Sequence, residues 1–432
     1  MSILNVNKIN PVGGGSTITI AGIASVTSSV TAPSFVGAVT GNVTGNVTGD
    51  ATGLSGNPSI NTTGIVTATS FVPTVGQLSH RNILINGDFR IAQRGTSSTS
   101  SGIHSVDRFG VWHDNTDEAP TQAQVDVASG TTPYTLGFRK ALKVTNGNQT
   151  SGAGVGDYIW IQNNLEAQDI ANSGWNYTSS SSFITLQFWV KSSVAQDFKC
   201  YLRSRDGSQM MYPFNTGTLT ADTWTKVTKT IPGNSGLTFD NDVNQGLQIN
   251  IGCFFGDNLT SAATNENAWT AWNSSMRTKV FTPTWYTTND ATFEITGVQL
   301  EVGPVATPFE HRSFGDELAR CQRYYYRVTP SDGGFYGVGN IDGGNQAQVI
   351  VTFPKEMRVK PTSIETTGTA SNYIIRVTSN ATCTSVPTLD NTTTTNALVI
   401  PYASSHGLTD KSGAFLRANG DASFLGFEGA DL

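Results

Sequence analysis

Charge is scarce in this chain. Only 13% of its 432 residues are Asp, Glu, Lys or Arg, and the formal net charge is −6. A nucleic-acid binder needs a basic stripe, and none can be drawn here, so nucleic acid is not expected as a partner. No run of 18 apolar residues occurs, so no membrane-inserting helix is expected. The first residues, Met-Ser-Ile-Leu-Asn-Val-Asn-Lys, lack the charged start and apolar core of a signal peptide, and no leader is expected. Cysteine is rare. Cys200, Cys253, Cys321 and Cys383 lie far apart in no metal or redox spacing, which predicts buried free thiols. His80, His104, His113, His311 and His406 are equally scattered. No metal or cofactor site is read from either set. Long helical patterns are almost absent as well.

What the chain has instead is Gly, Thr, Ser and Asn, which suit many short strands joined by polar turns. Residues 37–53 repeat Gly-Asn-Val-Thr with small variations. Successive side chains of an extended strand point to opposite faces. One face then alternates Gly with Val39, Val43, Val47 and Ala51, and the other carries Thr40, Asn42, Thr44, Asn46, Thr48, Asp50 and Thr52. A strand this long would span about 55 Å and is at best marginal alone, so identical chains winding together are expected to cover its apolar face. The Asn-Val-Thr sequons at Asn42 and Asn46 read as this polar face rather than as glycan acceptors.

Three regions follow. Residues 1–79 hold two charges, Lys8 and Asp50, and two aromatics, Phe35 and Phe71, and read as attachment segment and shaft. Residues 80–312 hold all eight tryptophans, and their short strands and turns predict a jelly-roll or sandwich. Expected strands include 83–85, 158–161, 183–190, 201–203, 247–251 and 292–296, with a turn at Asp206-Gly207. Trp160 and Trp189 lie inside such strands and are expected in the core. Residues 313–432 open with one short helix over 314–325, where Leu318, Cys321 and Tyr325 share a face. A smaller β domain follows, with turns at Asp342-Gly343 and Asn419-Gly420 and a closing hairpin over 414–427.

Several stretches resemble phage tail-fibre and adhesin-like proteins. The Gly-Asn-Val-Thr repeat is similar to shafts of phage fibres, including those of marine cyanobacterial phages. Residues 81–96, Arg-Asn-Ile-Leu-Ile-Asn-Gly-Asp-Phe-Arg-Ile-Ala-Gln-Arg-Gly-Thr, with Ser-Val-Asp-Arg-Phe at 105–109, resemble the opening of their carbohydrate-binding-like jelly roll. Residues 297–312, Gly-Val-Gln-Leu-Glu-Val-Gly-Pro-Val-Ala-Thr-Pro-Phe-Glu-His-Arg, resemble its closing strand. The resemblance implies an all-β, homotrimeric virion fibre, held to other virion proteins through its N-terminus and assembled in the host cytoplasm. Its ligand would be host surface polysaccharide. A structural fibre on capsid, neck or baseplate without a receptor is the alternative, and a polysaccharide depolymerase is a third reading without positive sign.

Sugar rings present apolar C–H faces to aromatic side chains, so aromatics in polar stretches are the binding candidates. Trp269 and Trp272 lie among asparagines, as do Trp175 and Tyr177, and Phe335 and Tyr336 border a glycine-rich stretch. Loop anchoring is the competing role for each. Gly334, Gly337 and Gly339 superficially suggest a phosphate loop, but no strand-loop-helix context follows. Glu301 and Glu310, and Asp107 read as paired with Arg108, are expected to be structural rather than catalytic. No enzyme activity and no calcium site are claimed.

Overall fold

The computed structural model describes residues 79–404 and 408–432. The expectations for the shaft, and for Asn42 and Asn46, lie outside the described residues. All extended pairings described are antiparallel, apart from one isolated bridge, and the fold is all-β.

Twelve strands build a jelly-roll sandwich. In chain order they are β1 (Ser97–Ser98), β2 (Phe109–Asp114), β3 (Thr121–Asp126), β4 (Lys140–Thr145), β5 (Tyr158–Glu166) and β6 (Phe183–Ser192). Then come β7 (Asp197–Ser204), β8 (Met210–Thr218), β9 (Thr225–Pro232), β10 (Gln245–Phe255), β11 (Thr270–Ala271) and β12 (Thr292–Val302). The first sheet has the order β1-β3-β4-β12-β6-β9, the second β11-β8-β7-β10-β5-β2. Period-two alternation sends one set of side chains into a shared core. Ile159, Ile161, Leu202, Ile249 and Ile251 of the second sheet join Ile184, Leu186, Phe188, Ile295 and Leu300 of the first in one buried cluster. Burying each such side chain stabilises by about 1.5–3 kcal/mol.

The opening and closing segments meet. Ile83 N–H donates to Leu300 O at 2.9 Å, Asn82 N–H to Glu310 Oε2 at 3.0 Å, and Val298 N–H to Gly87 O at 2.8 Å. Residues 83–85 are nevertheless not a strand. The Asn82 side chain accepts from Leu84 N–H and that of Asn86 from Ile91 N–H, so side chains take backbone groups that a ladder would need. At Gly297 β12 bulges with φ 65°, and a Cβ there would lie 2.6 Å from the Phe138 ring. Asp107 does not pair with Arg108: its carboxylate accepts from Gln93, while Arg108 lies over the Tyr324 ring.

The helix Phe314–Cys321 starts at Ser313, whose hydroxyl accepts from Asp316 N–H at 3.2 Å. Beyond it lie β13 (Tyr326–Val328), β14 (Phe335–Asp342), β15 (Gln346–Thr352), β16 (Ser363–Thr366) and β17 (Tyr373–Arg376). The last strands are β18 (Asn380–Thr382), β19 (Ser385–Thr392), β20 (Asn396–Tyr402), β21 (Gly413–Ala418) and β22 (Leu425–Glu428). A seven-stranded sheet, β18-β17-β21-β14-β15-β20-β19, shares a second core with the small sheet β13-β22-β16. The expected closing hairpin is corrected here. Its turn forms, but β21 pairs with β14 and β17, whereas β22 pairs with β13 and β16.

This head is fixed to the sandwich by polar contacts. Arg323 grips the buried Glu166 with two bonds of 2.8 and 2.9 Å, and Tyr324 donates to the same carboxylate at 2.6 Å. Those partners outweigh burial and hold the Glu166 carboxyl below its ordinary range. Arg358 adds bonds to Val243 O, Ala430 O and Asp431 O. All four cysteines are free and buried, and burial pushes each thiol up, Cys200 and Cys383 to about 12.

Candidate functional site: the outer face of the second sheet

Register decides which aromatics face outward. Ile159 and Ile161 enter the core, so Tyr158, Trp160, Gln162 and Asn164 of β5 point the other way. On one side, Trp112 of β2 lies opposite Trp160, and on the other, Asn250 of β10 lies opposite Gln162. Tyr201 of β7 pairs with Asn250, and Arg203 with Gln248. Trp160 is thus not a core residue, since β-branched Ile on either side fills the interior. Trp189 likewise points away from the core that Phe188 and Val190 enter, and packs beside the small cluster of Val127, Phe138 and Ala141.

The rings form a band. Tyr158 and Trp160 lie 4.5 Å apart between centroids, Trp160 and Phe255 5.4 Å, and Tyr201 and Trp272 5.8 Å. Trp112 keeps 37% of its surface exposed, and Tyr158, Trp160 and Trp272 are half-buried. Two guanidinium groups enter the band: Arg203 stands 3.7 Å over the Trp272 ring, and Arg277 lies 5.4 Å from Trp160 and 5.7 Å from Trp272. Below them runs an amide chain. Asn164 donates to Gln162 at 3.4 Å, and Gln162 donates to Asn250 at 2.9 Å. Asn164 also donates to Leu432 O at 2.8 Å, and Asn250 Nδ2, Asn164 Oδ1 and Trp160 Nε1 are buried without a hydrogen-bond partner among the described residues.

Of the six aromatics singled out from the sequence, only Trp272 joins this band. Trp269, three residues earlier, donates to Pro232 O at 2.7 Å and packs on Tyr212, tying its loop across the sandwich edge. Trp175 is 3% exposed within the core cluster. Tyr177 is half-buried with its ring edge-on to Phe239 at 5.0 Å, so this pair anchors loops and leaves Trp175 no free ring face. Phe335 and Tyr336 point to opposite sides of β14. Phe335 is 58% exposed beside Phe415, whereas Tyr336 is buried in the head core against Tyr373. Gly337 and Gly339 belong to that strand. A Cβ on Gly339 would overlap Gln348 O of β15, so close strand approach explains the glycine there.

The carboxylates are engaged elsewhere. Glu301, 2% exposed, accepts from Thr307 N–H, Thr307 Oγ1, Gln299 and Gln187 at 2.6–3.2 Å. Backbone N–H groups of residues 80–82 and Arg312 hold the Glu310 carboxyl below its ordinary range, against the effect of its burial. Among the described residues no group of three or more His, Cys, Asp and Glu is placed to hold a metal ion. None of their helices is long and apolar enough to cross a membrane.

Trp112, Tyr158, Trp160, Tyr201, Arg203 and Arg277 escaped sequence reading. The usable signal was the Tyr-Ile-Trp-Ile alternation, in which the isoleucines claim the interior.

No family model matches this chain, and no curated protein matches it. Solved structures that align with part of this chain include the enzymatically active domain of tailspike protein 4 of bacteriophage CBA120, at 11% identity and a TM-score of 0.28, over 51% of this chain. The N-terminal cellulose-binding domain of Cellulomonas fimi β-1,4-glucanase C aligns at 11% identity and a TM-score of 0.25, over 50% of this chain and 99% of its own. The family 11 carbohydrate-binding module of Clostridium thermocellum with a mixed-linked tetrasaccharide aligns at 11% identity and 0.22, over 49% and 98%. This chain spans 21% of the length of the tailspike structure.

Proposed function

We propose that the chain is a non-enzymatic fibre protein of a phage virion that adheres to host surface polysaccharide through the outer face of the second sheet. The observation that carries the reading is the band of Trp112, Tyr158, Trp160 and Trp272, the first exposed and the others half-buried, running beside the half-buried amide of Gln162. Aromatic faces stack on sugar C–H groups, and amides bond hydroxyls, which is the mixture a saccharide requires. Binding at one such open face is weak, and several copies on one particle raise it by avidity.

The test is titration of the intact chain with surface polysaccharides of bacterial cells. Saturable binding that falls at least tenfold when Trp160 and Trp272 are changed to Ala supports the reading. Shortening of the polymer on incubation would overturn its non-enzymatic part.

The homotrimer belongs to the same proposal and is supported by the repeat in residues 37–53. A further support is the row Phe415, Val338, Ile350 and Leu398, which runs across β21, β14, β15 and β20 in direct register. The first three of these are more than 40% exposed, and a second copy of the chain is the occupant we assign to the row. Light scattering should return three times the 45.9 kDa of one chain, and a monomer would overturn it. That same row favours the second reading, a purely structural fibre, should a folded oligomer bind no polysaccharide.

A further inference from the structure

The two arginines of the aromatic band have no acidic partner. Neither Arg203 nor Arg277 forms an ion pair within 4.0 Å of any described residue, although most arginines of the sandwich-head junction do or bond carbonyls. Arg203 Nε and Nη2 both point to Gln209 Oε1, and Arg277 Nε donates to Ser274 O. Arg277 also hydrogen-bonds the Tyr201 hydroxyl, so each guanidinium has only neutral partners and keeps donors to spare. Both cations converge on the ring of one residue, Trp272, at 3.7 and 5.7 Å. The charges acting on the Tyr201 hydroxyl beside them are all guanidinium: Arg277, Arg203 and Arg205. The acids at the margins bond elsewhere: Glu266 accepts from Asn215 at β8 through one oxygen, its other being buried without a partner, and Asp114 accepts from Asn115 N–H beyond Tyr158.

Half-burying two like charges without a counter-ion is unfavourable, and burial together with the neighbouring Arg205 and Arg277 lowers the Arg203 guanidinium to about 10. In a protein of net charge −6 the arrangement is a local reversal of sign. An anion seated between the two forks would relieve the repulsion and fill the open donors with charge-assisted bonds.

We propose that the polysaccharide is acidic, with a carboxylate or sulfate group on one sugar held between Arg203 and Arg277 while that sugar or its neighbour stacks on Trp272. This rests on the polysaccharide-binding reading and names its ligand class. Arginine suits the task because its planar fork meets both oxygens of a carboxylate or sulfate, which a lysine ammonium does not.

The experiment is affinity electrophoresis and calorimetry of the intact chain with four polymers: polygalacturonate, dextran sulfate, dextran and mixed-linkage β-glucan. At least one acidic polymer should bind about tenfold or more tightly than either neutral one, and the preference should shrink as salt rises. Preference for polygalacturonate identifies a carboxylate, and preference for dextran sulfate a sulfate ester. Arg203→Gln and Arg277→Gln should each cost about tenfold on the acidic polymer, with partial recovery in Arg203→Lys and Arg277→Lys. Unchanged melting of the variants separates this loss from misfolding. Trp272→Ala guards against simple ion exchange: acidic binding that survives it intact overturns the proposal. Equal binding of acidic and neutral polymers, untouched by the arginine variants, also overturns it and leaves the polysaccharide reading standing. Binding to none of the four by the folded chain overturns both.

Discussion

The sandwich has two outer faces built from the same alternating strands, and their polar groups end differently. On the first sheet, Thr185 donates to Gly303 O, Gln187 to Thr307 O, Thr230 to Pro304 O and Gln299 to Glu301. The segment after β12 folds back over that face and takes up its donors, and Lys191 has Glu294 at 3.0 Å. On the second sheet the chain end and the head cover only one end of β5, where Asn164 donates to Leu432 O at 2.8 Å and Glu166 is held by Arg323 and Tyr324. Toward its other end the rings of Trp112, Tyr158, Trp160 and Trp272 stay partly open, and Arg203 and Arg277 have no carboxylate partner, bonding Gln209 and Ser274 instead. A polar group whose bonds are complete holds the fold. A ring or cation left partly exposed without a partner is available to something that arrives later.

The sharpest way to break this comparison is to remove rings from each face in turn. The double change Trp160→Ala and Trp272→Ala should weaken polysaccharide binding by roughly a thousandfold, about 4 kcal/mol for two central aromatic contacts. Trp189→Ala on the opposite face should leave binding within about twofold. Calorimetric titration of both reads the difference, and equal losses would erase the distinction between faces.

Next comes Glu301→Ala. It strips four hydrogen bonds from the covered face and should cost about 3 kcal/mol in urea unfolding, with the affinity of the surviving folded protein unchanged. A smaller shift tests the framework under the head. Burial pushes the Asp107 carboxyl up to about 6, against the bonds from Gln93 that favour ionisation. Its proton is held more tightly folded than unfolded, so its contribution improves as pH falls through about 6 toward 4 and is lost as pH rises again. Between pH 7 and pH 4, wild type should gain about 2 kcal/mol relative to Asp107→Asn, read as the difference in urea midpoints. Gln162→Ala is the mildest change. It removes the half-exposed amide at the centre of the open face and should lower affinity about fivefold while costing about 1 kcal/mol of stability or less.

Much of the architecture was readable before any coordinates. The helix at 314–321 announced itself through the spacing of Leu318 and Cys321, and strands such as 183–190 and 247–251 through dense β-branched and apolar runs. What escaped has a common cause. The partners of β21 and β22 lie about 40 to 100 residues away, on the order of a whole domain of loop closure, and local turn chemistry at Asn419-Gly420 cannot name them. Residues 83–85 look like a strand because their neighbours Asn82 and Asn86 conceal their bonding roles until the chain folds. The site was harder still. Trp269 and Trp272 sit in the same polar stretch, yet one finds a carbonyl at the sandwich edge and the other a face. In Tyr-Ile-Trp-Ile the size of the tryptophan suggested the interior, while the branched isoleucines had the stronger claim to it.

The buried thiols carry a consequence for the chemical durability of the fold. Only a thiolate attacks a disulfide or an oxidant, and at neutral pH a thiol titrating near 12 is ionised to only about one part in a hundred thousand. Cys200 and Cys383 are so placed, and Cys253 and Cys321 are pushed up as well. No covalent cross-link among the described residues waits to be formed or broken. The sandwich and head therefore hold together without a disulfide, and their thiols are shielded from oxidation and exchange whatever the redox state of the surroundings.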